Sequence, residues 1–326
     1  MTIGRQSQYV RASVAQELPD WRSSLRHAFL VMAHHQFDQL EGLLRLLDHE
    51  DNDVYLHVDA RSEDFDPARA ASVLRHSELV LVPRLRVRWG GWSTVACELV
   101  LLRSATAKGG YSYFHLLSGA DLPIKPMSQI HAFFARSEGR EYIEIAPDHH
   151  VDEVMFRARL FHVLHELLPV RYVRSRPGRA LTSALMRAQT RLGVNRLAKD
   201  PWELQFGSQW FSITAELATH VMSQTTRIRR LFRWTFCPDE LFLQTVALNS
   251  PFRSMLPAAG TETENLGAMR MIDWSRSEGS HPHVWRTADL PQLRSTPALF
   301  ARKFDPTIDA AVIDHIETSL VNGRPI

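Results

Sequence analysis

The stretch HAFLVMAHH (27–35), with QFDQLEGLLRLLDH (36–49) and DVYLHVDA (53–60) after it, decides the fold. The first is a short continuous apolar run, which reads as a strand buried on both faces of a parallel sheet. In the second, Phe37, Leu40, Leu43, Leu44 and Leu47 recur at helical spacing. The third, rich in β-branched and aromatic residues, is a second strand. Working outward, DPARAASVLRH (66–76) opens with Asp66-Pro67, a helix-start signal. ELVLVP (78–83) is a third strand. STVACELVLLRSATA (93–107) is a helix with Ser93 as its expected N-cap. YSYFHLLS (111–118) is a fourth strand. The order β-α-β-α-β-α-β with short connections predicts an open, mostly parallel α/β sheet flanked by helices.

Ligands of such sheets sit beyond the carboxyl ends of the strands. The residues expected there are Ala33–His35, Asp59–Arg61, Arg88–Ser93 and Ser118–Asp121, loops rich in Gly, Trp and Asp. A ligand site is therefore expected at that edge.

The composition is that of a globular chain: 326 residues, 44% hydrophobic, 23% charged, formal net charge +2. That charge balance excludes a nucleic-acid partner as the main reading. The first 25 residues lack a long apolar core, and no run of about 18 apolar residues occurs. Residues 1–24 read as a tail, and 25–322 as a single domain. Two cysteines, Cys97 and Cys237, lack metal spacing and read as reduced thiols of a cytoplasmic protein. Segment 167–199 carries Arg171, Arg174, Arg176, Arg179, Arg187, Arg191, Arg196 and Lys199 and no acid. Its Leu181, Leu185, Met186 and Leu192 share a helical face. That face either packs on the body of the protein or rests on an anionic membrane surface.

The strings VMAHHQFDQLEGLLRLL, VYLHVDARSED, VRWGGWSTVACELVLLRSA, HLLSGADLPIKP, GSQWFSIT, CPDELFLQTVALNSPF and LFARKFDP run in order over about residues 27–310. Together they resemble the core-2/I-branching glycosyltransferases, glycosyltransferase family 14, which also includes peptide O-xylosyltransferases and plant glucuronosyltransferases. The resemblance implies a GT-A-type, Rossmann-like fold with a C-terminal extension completing the donor site. It implies a nucleotide-binding half (25–145) and an acceptor-binding, catalytic half (146–322). The implied reaction is inverting transfer from a UDP-sugar to a hydroxyl of a glycan or lipid-linked glycan. N-acetylglucosamine is the first expectation for the sugar, with xylose or glucuronate as alternatives.

Single displacement needs a carboxylate to take the acceptor proton and cations to receive the diphosphate. By the resemblance, Glu240 in PDE is the base, with Asp239 beside it as a cap or first-turn acid of a helix begun by Pro238. Lys303 in KFD is the leaving-group cation, and adjacent Arg302 has a less defined role. A second upstream cation falls in SHPHVWR, either His283 or Arg286. Met32, Asp59 and Trp89 match uridine contacts. Asp121 either supports the sugar or holds its loop, Glu144 contacts acceptor, and Gly207, Ser208 and Gln209 shape the acceptor cleft. No metal is expected: Asp51-Asn-Asp53 precedes a strand, and Asp64-Phe-Asp66 opens a helix. The sixteen histidines, among them His34-His35, His149-His150 and His281-Pro-His283, lack the spacing of a metallohydrolase. An inactive glycan-binding module is the remaining alternative. With no anchor and no disulfide pairs, the sequence predicts a cytoplasmic enzyme, peripheral at most at the inner face of the membrane.

Overall fold

The computed structural model describes residues 26–147, 156–257, 266–277 and 281–326. The tail at 1–24 and the pair His149-His150 lie outside them. The chain runs β1 (His27–Ala33), α1 (Phe37–Leu47), β2 (Asn52–Val58), α2 (Pro67–Ser72), β3 (Glu78–Leu81), α3 (Trp92–Lys108), β4 (Tyr113–Ser118), β5 (Asp121–Pro123), α4 (Met127–Ala135) and β6 (Tyr142–Ile143). It continues through α5 (Val163–Leu167), α6 (Val170–Val173), α7 (Arg176–Arg191), β7 (Phe211–Thr214), α8 (Ala215–Ser223), α9 (Thr225–Phe232), α10 (Phe242–Leu248), β8 (Arg270–Ile272), α11 (Leu290–Ser295), β9 (Phe300–Arg302) and α12 (Pro306–Val321).

Six strands form one sheet in the order β3-β2-β1-β4-β7-β6. The first four are mutually parallel, and β7 runs antiparallel to both β4 and β6. The fold is therefore mixed α/β with a mostly parallel central sheet, as the alternating apolar runs predict. Burial explains those runs. β2 is buried along its whole length and β1 nearly so, because helices cover both faces. Alternate residues divide between two cores. Ala28, Leu30, Tyr55, Phe114 and Leu116 pack with α3, α8 and α10. Phe29, Val31, Leu56 and Leu117 pack with α1, α4, α11 and α12.

A second, three-stranded sheet, β5-β9-β8, was not foreseen in the sequence. Its strands have three residues each, too short for any periodicity to register. It brings the C-terminal segment under the end of β4. Arg270 of β8 fastens it there: the buried guanidinium donates to Leu116 O at 3.2 Å, Phe211 O at 2.8 Å, Ala268 O at 2.7 Å and Ser212 Oγ at 3.1 Å. Its ring-facing side lies over Phe300 at 4.4 Å.

Local signals are corrected in three places. The N-cap of α3 is Gly91, not Ser93, whose hydroxyl accepts from the Arg88 N–H at 2.7 Å. Pro238–Glu240 forms one 3-10 turn, and α10 begins after Leu241, so Pro238 does not start the α-helix. Asp66 does cap α2, accepting from Ala68 N and Arg69 N. In α7, Met186 is buried while Leu181 and Leu192 are exposed, so the stripe only partly packs on the body.

Removing the Arg270 guanidinium leaves buried carbonyls without a donor. Arg270→Met is expected to lose about 3 kcal/mol of stability, measured by urea unfolding, whereas an exposed control such as Arg324→Met changes nothing measurable.

Candidate active site at the carboxyl edge of the sheet

The loops after β1, β2, β3 and β4 are held together by side chains. Asp59, after β2, is 4% exposed. Its Oδ1 accepts from Arg61 N and Nε at 2.8 and 3.0 Å, and its Oδ2 from Arg61 Nη2 and Val87 N at 2.8 and 3.0 Å. Against the cost of burial, these donors hold its pKa down to about 2. Four donors occupy the acceptor sites of the carboxylate, so Asp59 clamps two loops together. A nucleoside contact there requires Arg61, whose side chain is 60% exposed, to swing away. Arg84 adds bonds to Val58 O and Asp59 O at 3.2 and 2.7 Å.

Beyond β3, the WGGWS string has a geometric reason. Gly90 sits at φ +74, in the left-handed region, and a Cβ there would meet Phe236 at 2.8 Å. The Gly90 carbonyl accepts from Cys237 N at 3.0 Å. The glycine thus seats the Phe236–Glu240 segment against the sheet edge. Trp89 is 48% exposed, touches Phe236 edge-on at 5.8 Å and stacks under Arg174 at 4.3 Å. A half-exposed indole at a loop tip is a stacking surface rather than core.

Glu240 lies on the 3-10 turn with its side chain 34% exposed, so it is not sealed. Its Oε2 accepts from Arg157 Nη1 at 2.5 Å, and its backbone carbonyl accepts from Gly207 N at 3.0 Å. Gly207 admits no side chain, because a Cβ would stand 1.8 Å from Glu144 O. That contact packs β6 beside the turn. Ser208 passes its carbonyl to Gln244 Nε2 at 2.6 Å. Gln209 Nε2 donates to Glu98 Oε1 at 2.8 Å and touches Met32 Sδ at 3.9 Å.

Asp239 behaves unlike a cap. Its Oδ1 is buried with no hydrogen-bond partner among the described residues. Burial, reinforced by Glu240, pushes its pKa up to about 7. Glu98 of α3, fully buried, is pushed up by burial and by Asp239, and its Oε2 also lacks a partner. Sequence reading missed Glu98, because an acid within an apolar helix run reads as a solvated position.

Cations from the end of β9 also reach this edge. Arg302 of β9 donates to Asp121 Oδ1 at 2.7 Å and Ser118 Oγ at 2.6 Å, and lies over Trp210 at 4.3 Å. Asp121 also accepts from Ser118 N at 2.8 Å, so it pins its own loop and Arg302 together. Lys303 is half-buried, and its ammonium has no hydrogen bond or ion pair among the described residues. Burial, then Arg302, lowers its pKa. His281 feels Lys303, Arg174 and Arg302, which together with burial lower its pKa. Of the two residues expected in SHPHVWR, His283 binds Asp289 at 2.9 Å and Arg286 is an exposed turn cap. Of the residues in that string, His281 is the one whose proton Lys303, Arg174 and Arg302 disfavour. Arg174, from the basic segment, acts on both sides: it lies on Trp89, influences Cys237 beside Glu240, and influences His281. A hollow of about 360 Å³ lined by Ser223, Gln224, Thr226, Arg227 and Arg230 shares no residue with this edge.

The family model for "Core-2/I-Branching enzyme" matches residues 27–294. Among similar curated proteins, human xylosyltransferase 1 is 24% identical over 319 residues, which is 92% of this chain and 31% of that protein. Mouse xylosyltransferase 2 is 25% identical over 346 residues, 100% of this chain and 36% of that protein. The chain thus spans about a third of the length of these relatives. Among solved structures, mouse xyloside xylosyltransferase 1 in its apo form is 11% identical with a TM-score of 0.35. It covers 85% of this chain and 96% of its own, a likeness that carries no argument.

The raised pKa of Asp239 has a sign. A folded-state carboxyl pKa above its unfolded value means that its stability contribution is complete below about pH 4. That contribution is lost as pH rises through about 7. Asp239→Asn removes the titrating group. Its thermal stability relative to wild type is expected to be similar at pH 4.5 and higher at pH 8, read from melting curves at both.

Proposed function

This chain belongs to the core-2/I-branching enzyme family, and from that membership we propose that it is an inverting glycosyltransferase moving a sugar from a UDP-sugar to a hydroxyl of a glycan acceptor. The observation that carries the reading is Lys303: a half-buried ammonium with no partner among the described residues, on the same sheet edge as Glu240. An unpaired charge is costly to bury, and a site tolerates it where an anionic ligand completes the pair. UDP is such a ligand. Its negative charge grows as the glycosidic bond breaks, and Lys303 with Arg174 receives it. Glu240 takes the acceptor proton as the hydroxyl attacks the anomeric carbon from the other side.

Glu240 reaches that role through its neighbours. Arg157 holds the carboxylate at 2.5 Å, fixing its direction while leaving the side chain accessible. Trp89, half-exposed at the tip of its loop, offers its ring to the base. The loops of the first half supply the nucleotide side; the turn at 238–240 and the Gly207–Gln209 segment supply the acceptor side. The leaving group needs no metal in this reading, because the Lys303 wall occupies the place of one. Neither Asp-x-Asp string reaches that wall: Asp53 is tied to Arg26, Lys108 and Tyr111, and Asp66 caps a helix.

N-acetylglucosamine is the first candidate for the sugar. UDP-xylose is the second reading, favoured by the names of the relatives. No helix among the described residues is long and apolar enough to cross a membrane. The segment 167–199, with Leu167, Tyr172, Leu181 and Leu192 exposed among its arginines, would rest on an anionic inner leaflet and admit a lipid-linked acceptor.

Turnover against a panel of UDP-sugars tests the reading. Lys303→Ala is expected to lose at least about a hundredfold in kcat, and Glu240→Gln to abolish both transfer and slow UDP-sugar hydrolysis, each with an unchanged melting temperature. EDTA is expected to leave the rate alone; manganese dependence sinks the metal-free step. Co-sedimentation with anionic vesicles, absent with neutral ones and weakened in Arg179→Glu, checks the membrane contact.

A further inference from the structure

At the amino-terminal edge of the sheet, three side chains converge that the proposed reaction does not use. His49 and Asp51 lie on the turn between α1 and β2, and His131 lies on α4. One ligand atom from each lies within 4.8 Å of the others, and among the described residues no other three His, Cys, Asp or Glu side chains meet in this way. β1 separates this edge from the candidate active site by its seven residues, about 20 Å.

We propose that His49, Asp51 and His131 form a site for one divalent transition metal of the zinc class, clamping the α1–β2 turn to α4. Supporting contacts orient His131. Its Nε2 lies 2.8 Å from Asn52 Oδ1, and the Asn52 amide is fixed by donating its Nδ2 to Leu47 O at 2.8 Å. The acceptor oxygen of a fully buried asparagine therefore faces the ring. The proton sits on Nε2, and the Nδ1 lone pair is left to bind metal. This is the outer-shell partner that metal-binding histidines use.

The turn is held as well. His49 N donates to Ser77 Oγ at 2.9 Å, Asn52 N to His49 O at 3.0 Å, and Asp51 O accepts from His27 N at 2.8 Å. The Asp51 carboxylate already lies 3.8 Å from His49 Nδ1. A metal there replaces the bond from Asp51 N to that nitrogen, which at 3.1 Å is at the long end of its range. Metal–ligand distances of about 2.0–2.2 Å put ligands roughly 3.3 Å apart, so the three side chains close inward slightly. Two imidazoles and one carboxylate select zinc-like ions over magnesium or calcium, which favour all-oxygen sets. Water completes the fourth position.

The expected consequence is stability. The His131 ring packs on His27 at 4.6 Å, and His27 Nδ1 meets His115 Nε2 at 3.0 Å. A clamp at the edge therefore braces a row of histidines running into the core. The inference does not depend on the transferase reading.

The full chain, stripped with EDTA and dialysed, is titrated with zinc chloride by calorimetry and melted. One zinc per chain is expected, with a rise of about 5 °C at a hundredfold excess over Kd. Cobalt in place of zinc gives a visible absorption band. Asp51→Asn, a half-exposed position that leaves the fold intact by circular dichroism, loses binding, shift and band together; His131→Gln does the same where it folds. The EDTA-stripped enzyme keeps its turnover. No zinc uptake overturns the proposal. So does uptake undiminished in Asp51→Asn but lost in a His34→Ala, His35→Ala double variant, since those two rings, 4.1 Å apart, would then be the site.

Discussion

One buried guanidinium, Arg270, holds the two sheets of this protein together. It sits on a three-residue strand that could not stand alone. Its donors go to carbonyls of β4 and β7 and to the hydroxyl of Ser212, so the small sheet cannot slide along the large one without stranding several of them. Burial lowers the Arg270 pKa to about 9, yet the group keeps its charge at neutral pH and can hold all of these acceptors at once. That matters for chemistry because β9, the middle strand of the small sheet, carries Arg302 and leads directly into Lys303. The same segment is braced from behind: Trp285, fully buried, donates its indole N–H to Arg302 O at 2.9 Å and its backbone N–H to Lys303 O at 3.0 Å. Phe304 N bonds to Ala120 O at 2.9 Å. Gln36, beyond β1, reaches Asp305 at 2.8 Å. The half-buried ammonium is thus set in place from both sheets at once.

The larger sheet was legible in the sequence because its signals are long. β1, β2 and β4 are apolar runs of six or seven residues, and their helices keep a regular stripe. The loops at their carboxyl ends followed from topology alone. What escaped was either short or long-range. β5, β8 and β9 carry no period. His281, Arg174, Arg157 and Glu98 reach the site from four separate segments, and nothing local distinguishes them. The basic segment suggested a stripe packed on the body or resting on a membrane, and neither reading singled out Arg174, which turns inward onto Trp89. Where the motif strings named positions, the structure showed what several of those residues spend their bonds on. Asp59 and Asp121 are loop clamps with their oxygens engaged, and His283 belongs to Asp289. A string match transfers a position; only the surrounding donors decide whether its oxygens are available.

The two glycine strings have the same logic as the clamps. Gly90 and Gly207 are places where another segment of backbone or ring comes within reach of a Cβ. Gly90 meets the turn at 236–240 from the loop after β3, while Gly207, pressed against Glu144, donates its N–H to Glu240 O from the segment before β7. The turn is short and its N-cap residue Cys237 is itself left-handed, at φ 47. A short turn cannot hold a carboxylate in one direction by its own hydrogen bonds. It does so here by being clamped between two glycine-lined surfaces, with Arg157 fixing the side chain from outside.

The charges at the site do not simply add. Arg302 is paired with Asp121 at 2.7 Å, yet it still acts on Lys303 and His281, whose pKa values it helps to lower. Its work is to keep the β4–β5 loop and the β9 end in one piece. Lys303 has no ion pair among the described residues, although Asp305 favours its charge, and it, Arg174 and Arg302 disfavour the proton of His281. Two unit charges about 4 Å apart interact by about 4 kcal/mol at the effective dielectric of a partly buried site. An anion bound beside these cations would favour the proton that they now disfavour on His281.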